Sequence, residues 1–221
     1  MTKAFIFDND GVIIDTENAS HQLEHDFFIS VLGEEIFKKI GSSVGLSHEM
    51  IAKEAEKYGV HFDPKQYEDL IDKHVEEIFG NSPITSGVNA LARDLIKLGY
   101  KLAVVSASKM SWLNIVLPRI EFAHDLKLVM SLFGRDDLRH KPHPDGYLAA
   151  MKKLGVSPKN TIILEDSNPG IQSAKASGAF TIGFRGNLVP GYVQEGADVY
   201  AENMNEVLEL VKRHGKKLSF K

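Results

Sequence analysis

The feature that most constrains this chain is a rhythm. Short apolar runs, each about one strand long, alternate with stretches whose apolar residues recur at helical spacing. KAFIFD, KLAVVSAS, LKLVMS, NTIILED, AFTIGF and a weaker ADVY are the strand candidates. Helical patterns lie between them, from Val88 to Leu98, Met110 to Leu117, Gly146 to Leu154, Pro169 to Ala176 and Met204 to Lys212. Gly99, Gly155 and Gly178 each fall where a helix must stop before the next strand. Apolar runs bounded this way suit strands covered on both faces, so the chain reads as α/β, with a mostly parallel, Rossmann-like sheet between helices. The stretch from Thr16 to Ser82 breaks the rhythm, with helical periodicity and no convincing strand. It predicts an all-helical insertion over 16–83, splitting the α/β core into 1–15 and 84–221.

A chain of 221 residues buries one substantial core and carries a smaller accessory unit. Lys and Arg are scattered among Asp and Glu, for a net charge of −4, so there is no basic stripe of the kind nucleic acid requires. There is no cysteine, which excludes disulfides, a thiolate nucleophile and a zinc-thiolate centre. The apolar start AFIF is too short for a signal peptide, and no stretch approaches the roughly 20 apolar residues of a membrane span. The expectation is a cytoplasmic protein with neither nucleic acid nor membrane as partner.

Parallel sheets bind ligands beyond the carboxyl ends of their strands, which makes the residues at the strand tips the place to look for chemistry. The first strand ends in Asp8 and Asp10, the second in Ser106, and NTIILEDS in Glu165 and Asp166. Lys141, in HKPHPD, stands just ahead of the helix leading into that last strand. Acids, a hydroxyl and a lysine at one end of a sheet make a metal and phosphate constellation.

FDNDGVIIDTE, the VVSAS strand end, KPHPD and LEDSNPGIQSAKASG occur in the order and with the spacing of the four motifs of the haloacid dehalogenase-like superfamily. The resemblance covers the whole chain. The helical insertion resembles the small cap domain of the branch that holds sugar phosphatases and β-phosphoglucomutase. It implies that Asp8 is a nucleophile forming an aspartyl-phosphate, and that Asp10 is the general acid and base. The first must be ionised and the second must begin protonated, so repulsion between neighbouring carboxylates serves the mechanism. The resemblance further implies Mg2+ held by Asp8, the backbone carbonyl of Asp10, and Asp166, with Glu165 nearby. Lys141 would neutralise Asp8 and the transferring group, and Ser106 would donate to a phosphate oxygen. Asn9, Gly11, Ala107 and Ser108 would complete the phosphate cradle.

The cap is expected to open and close on joints near Asp15 and around 81–86, with His21 and Ser43 facing a small phosphorylated substrate such as a sugar phosphate. In β-phosphoglucomutase the loop corresponding to Ile40 to Ser47 carries an arginine for a second phosphate, whereas IGSSVGLS has none. That favours a hydrolase acting on a single phosphate over a mutase, which the retained SASK supports. A phosphate-responsive binding protein is opposed by the acid-base partner at Asp10. Plainer readings stand beside these. Asp15 and Thr16 read as caps of the first cap helix, Asp145 as a helix cap, and Trp112 as packing. His21 and His25, one helical turn apart, lack a third metal ligand, and His140 and His143 read as loop residues. Asn9 replaces a usual apolar residue; it either contacts substrate or cap, or bonds to its own loop.

Overall fold

A computed structural model of the chain describes residues 2–40 and 48–219. The six apolar runs become strands β1 (Lys3–Phe7), β2 (Tyr100–Ser106), β3 (Leu126–Ser131), β4 (Thr161–Glu165), β5 (Phe180–Phe184) and β6 (Val199–Ala201). Helices α1 (Glu17–Leu32), α2 (Glu34–Ile40), α3 (His48–Glu56) and α4 (Pro64–Lys73) follow β1, and a single π-helical turn at Glu76–Gly80 closes that stretch. The remaining helices are α5 (Val88–Lys97), α6 (Met110–Val116), α7 (Asp145–Leu154), α8 (Asn168–Ala176) and α9 (Met204–Ser219).

The strands form one parallel sheet in the order β3-β2-β1-β4-β5-β6. Because side chains alternate along a strand, each apolar run supplies both faces. Phe5, Phe7, Leu102, Val104, Ile162 and Leu164 join Leu91 and Leu95 of α5 and Val207 and Val211 of α9 in one core. Their neighbours Ala4, Ile6, Ala103, Val105 and Ile163 join Tyr147, Ala150 and Met151 of α7 and Ala174 of α8 in the other. Each large side chain so buried contributes about 1.5–3 kcal/mol, which is why these runs tolerate no polar alternation.

From β1 the chain builds β2 and β3 on one side, then crosses to β4 on the other. Strand order thus reverses between β1 and β4, and their carboxyl ends flank the crevice where such sheets bind ligands. The pairing continues past β1, with Asp8 N–H donating to Leu164 O at 3.0 Å.

The stretch from α1 to α4 has an apolar cluster of its own, built from Phe28, Leu32, Ile51, Ala55 and Phe62. Tyr67 stacks on Phe28 with ring centroids 5.5 Å apart. Asp63 caps α4 by accepting from Lys65 N–H at 2.9 Å. The end of this stretch packs differently. Ile71, Ile78 and Phe79 belong to the sheet's core, Phe79 lies 5.3 Å from Trp112, and Arg119 donates to the carbonyls of Phe79 and Ser82. The outgoing and returning chains pair with each other, Asp15 N–H to Pro83 O at 3.0 Å and Thr85 N–H to Ile13 O at 2.9 Å.

Two expectations about elements are corrected. α9 runs on to Ser219, past Lys212, because His214 stacks on Phe180 at 3.9 Å and gives the polar continuation a partner on the sheet. Asp145 opens α7 without capping it; its carboxylate accepts from Arg139 instead. Among the described residues no helix is long and apolar enough to cross a membrane.

Candidate active site

The crevice between β1 and β4 holds a compact group of charges. Asp8, one residue beyond β1, and Glu165 and Asp166, at the end of β4, are all buried, with carboxylate oxygens within 4.8 Å of one another. Lys141 reaches in from the loop before α7. Its ammonium donates to Asp8 Oδ1 at 2.7 Å and to Glu165 Oε1 at 2.5 Å. Asp145 braces that loop, accepting from Arg139 N–H, Nε and Nη2 at 3.1, 3.0 and 2.9 Å. These donors hold the Asp145 carboxyl down to about 2.

Burial sets the electrostatics here. It pushes the Asp8 carboxyl up to about 8; Lys141 opposes that rise, while Glu165 and Asp10 add to it. Burial would depress Lys141, but Asp8 and Glu165 outweigh it and hold the ammonium charged, well above the ordinary lysine range. Tyr147 donates from its hydroxyl to Glu165 Oε1 at 2.6 Å. Burial, and then the charge on Glu165, raise that hydroxyl far above its usual range, so it remains a donor.

The donor set fits a hard divalent cation. It is all oxygen, as Mg2+ prefers, and with the three carboxylates ionised, the single ammonium leaves two negative charges to be balanced. The backbone is also cut to fit. A Cβ on Gly11, whose φ is +67°, would overlap Asp166 Oδ2, and a Cβ on Gly170 would overlap the Glu165 carboxylate. Glycine is what lets both carboxylates occupy the crevice.

Asp10 lies apart from that group, in a ring of hydroxyls. Its Oδ2 accepts from Ser108 Oγ at 2.6 Å and Ser106 Oγ at 3.3 Å, and its Oδ1 from Thr16 Oγ1 at 3.2 Å. Ser106 Oγ in turn accepts from Ser108 N–H at 2.9 Å. Thr16, expected to cap α1, makes no side-chain cap; buried, it turns back to Asp10 instead. Hydroxyls suit a residue that changes protonation state, since each can donate to a carboxylate or accept from a carboxylic acid.

The other expected residues fall as follows. Ala107 lies exposed in the bend beyond β2, beside Ser108. Asn9 is 1% exposed. Its carbonyl accepts from Ile13 N–H at 2.8 Å, and its Nδ2 finds no hydrogen-bond partner among the described residues. His21 sits in α1, but its side chain lies outside what is described, and Ser43 lies outside the described residues. His25 places its ring edge against Phe37 and Nδ1 3.3 Å from Asp26, on the surface of the helical stretch. His143 serves through its carbonyl, which accepts from Ser173 Oγ at 2.7 Å.

Three contributors carry no motif. Tyr147 had a faint signal, as a phenol in an apolar helical face must find a partner for its hydroxyl. Asn187 and Gln194, in the loop after β5, had none. Asn187 Nδ2 donates to Gly11 O at 3.1 Å and Thr85 Oγ1 at 2.7 Å. Gln194 Nε2 donates to the carbonyls of Asp166 and Phe184.

Comparison with known proteins agrees with this architecture. The family model for haloacid dehalogenase-like hydrolases matches residues 5–184. The chain is 31% identical to YhcW of Bacillus subtilis (strain 168), over 80% of this chain and 81% of that one. It is 28% identical to hexitol phosphatase B of Escherichia coli (strain K12), over 79% of each. The crystal structure of β-phosphoglucomutase from Clostridium difficile superposes with a TM-score of 0.76 at 25% identity, covering 100% of both chains. The chain is therefore an enzyme of the haloacid dehalogenase-like hydrolase family.

Proposed function

We propose that the protein is a Mg2+-dependent phosphatase that hydrolyses a small phosphorylated metabolite, a sugar or sugar-alcohol phosphate, through an aspartyl-phosphate. The observation that carries this reading is the division of labour between neighbouring carboxylates. Asp8 lies buried against Lys141 and the acidic group, and Asp10 lies among three hydroxyls. The likeness to hexitol phosphatase B supports the substrate class.

Asp8 is the nucleophile. A carboxylate oxygen attacks phosphorus, the bond to the leaving oxygen breaks in line, and Asp10 gives that oxygen its proton. Asp10, now ionised and stabilised by Thr16, Ser106 and Ser108, next takes a proton from water. The hydroxide so formed attacks the same phosphorus, releasing inorganic phosphate and restoring both aspartates. Lys141 spans Asp8 and Glu165, favours the ionised form of Asp8 against burial, and offsets charge on the transferred group. Mg2+ held by Asp8, Glu165 and Asp166, when bound, supplies charge neutralisation for the phosphoryl oxygens. The amides after Asp8, with Ser108, cradle the phosphate. The helical stretch over 16–83 acts as a cap, joined to the core by the paired chains at 13–15 and 83–85.

A panel of sugar, polyol and nucleoside phosphates, assayed for phosphate release with and without Mg2+, tests the reading. Glucose 1-phosphate to glucose 6-phosphate conversion is followed in parallel. Release that needs both Mg2+ and Asp8 supports a hydrolase; isomer formation without release makes the enzyme a mutase.

A further inference from the structure

Beside the acid group, a second ion-pair network crosses from the helical stretch to the sheet. Lys109 directly follows Ser108, whose hydroxyl touches Asp10, so it stands at the mouth of the crevice. Its ammonium lies 2.7 Å from Asp72 Oδ2 and 3.3 Å from Glu68 Oε2, both on α4. It also sits 5.2 Å above the rings of Trp112 and of Phe133. Trp112 Nε1 donates to the other oxygen of Asp72 at 2.6 Å, which fixes that carboxylate on the side facing Lys109. The side chains of Lys109 and Glu68 are only 17% and 20% exposed, so water screens that pair less than a surface pair, whereas Asp72 is 47% exposed. Burial would lower Lys109 and raise Asp72, yet Asp72 and Glu68 together raise Lys109, and Lys109, Trp112 and Lys65 together lower Asp72.

A lysine next to a phosphate site ordinarily draws in anions. Here it meets two carboxylates, so the cation at the mouth of the crevice is already matched. We propose that Glu68 and Asp72 determine specificity by occupying Lys109, so that the enzyme takes monophosphates with an uncharged leaving group and rejects substrates bearing a second phosphate. A second phosphate at the mouth must displace both carboxylates from Lys109 and then remain beside them. The proposal rests on the phosphomonoester reading and names its substrate class more narrowly.

The test uses the isosteric pair Glu68→Gln and Asp72→Asn, which keeps the shapes and removes the charges. Dissociation constants for glucose 6-phosphate and glucose 1,6-bisphosphate are measured at fixed free Mg2+ in an Asp8→Asn background, where no turnover intervenes. The original mouth should bind the monophosphate at least as tightly. With both acids neutralised, the bisphosphate should gain about tenfold over the monophosphate, as expected when like charges are removed. Adding Lys109→Met to that double variant should erase the gain. A wild-type mouth that prefers the bisphosphate, a ratio that moves less than about threefold, or equal changes for both ligands would overturn the proposal. Phosphate release by the chain with Asp8 intact is measured separately. A tenfold shift in binding without any turnover would sustain the specificity role while sinking the phosphatase reading.

Discussion

Asp8 meets two opposed demands, since a nucleophile must be ionised and burial favours its neutral form. In the metal-free protein its carboxyl is pushed up to about 8 from an ordinary 3.8. The native state then holds a proton that the unfolded chain has lost, so this group's contribution to stability is full below about pH 4 and disappears as pH rises through about 8. Urea midpoints measured in chelator should therefore fall over that window in the wild type relative to Asp8→Asn, and Mg2+ should restore the alkaline side. A difference with the opposite slope would contradict the assignment. Tyr147→Phe leaves the Glu165 oxygen to Lys141 alone; it should cost about 1–3 kcal/mol, read as a lowered urea midpoint. Asp10→Asn should retain the fold and slow turnover by about 10²–10⁴-fold.

At the scale of elements, the strand tips do the positioning, and they were the part most legible in the sequence. Asp8, Ser106, Glu165 and Asp166 were readable because apolar runs end abruptly at them, and a parallel sheet brings such ends together. What escaped was local competition for hydrogen bonds. Thr16 has the type and place of a helix cap, yet Asp10, six residues earlier, takes its hydroxyl; Asp145 likewise goes to Arg139 and braces the Lys141 loop. Asn187 and Gln194 act across more than a hundred residues or through carbonyls, and no spacing encodes such bonds. Gly11 is a point where element and site meet, because its left-handed turn makes room for Asp166. Gly11→Ala should lower stability by about 1 kcal/mol or more, seen as a reduced melting temperature. It should also weaken Mg2+ activation, seen as a raised Mg2+ requirement in the activity assay; an unchanged requirement would show that the cradle does not depend on that glycine.

Over the whole molecule, the fold is a doubly covered parallel sheet whose order reverses at the crevice holding the acids, with a helical stretch packed beside it. That stretch is not fastened uniformly. Its first three helices keep a cluster of their own, while its end shares the sheet's core through Ile71, Ile78 and Phe79 and is tied down by Arg119. The central claim is that Asp8 carries the phosphoryl group between substrate and water. Its most direct test is an acid quench of the enzyme during turnover of a hexitol phosphate with Mg2+, followed by peptide mass spectrometry. The expected result is a phosphoryl group on the peptide at Asp8, and neither adduct nor phosphate release in Asp8→Asn. Phosphate release by Asp8→Asn, or an adduct on another residue, would contradict it.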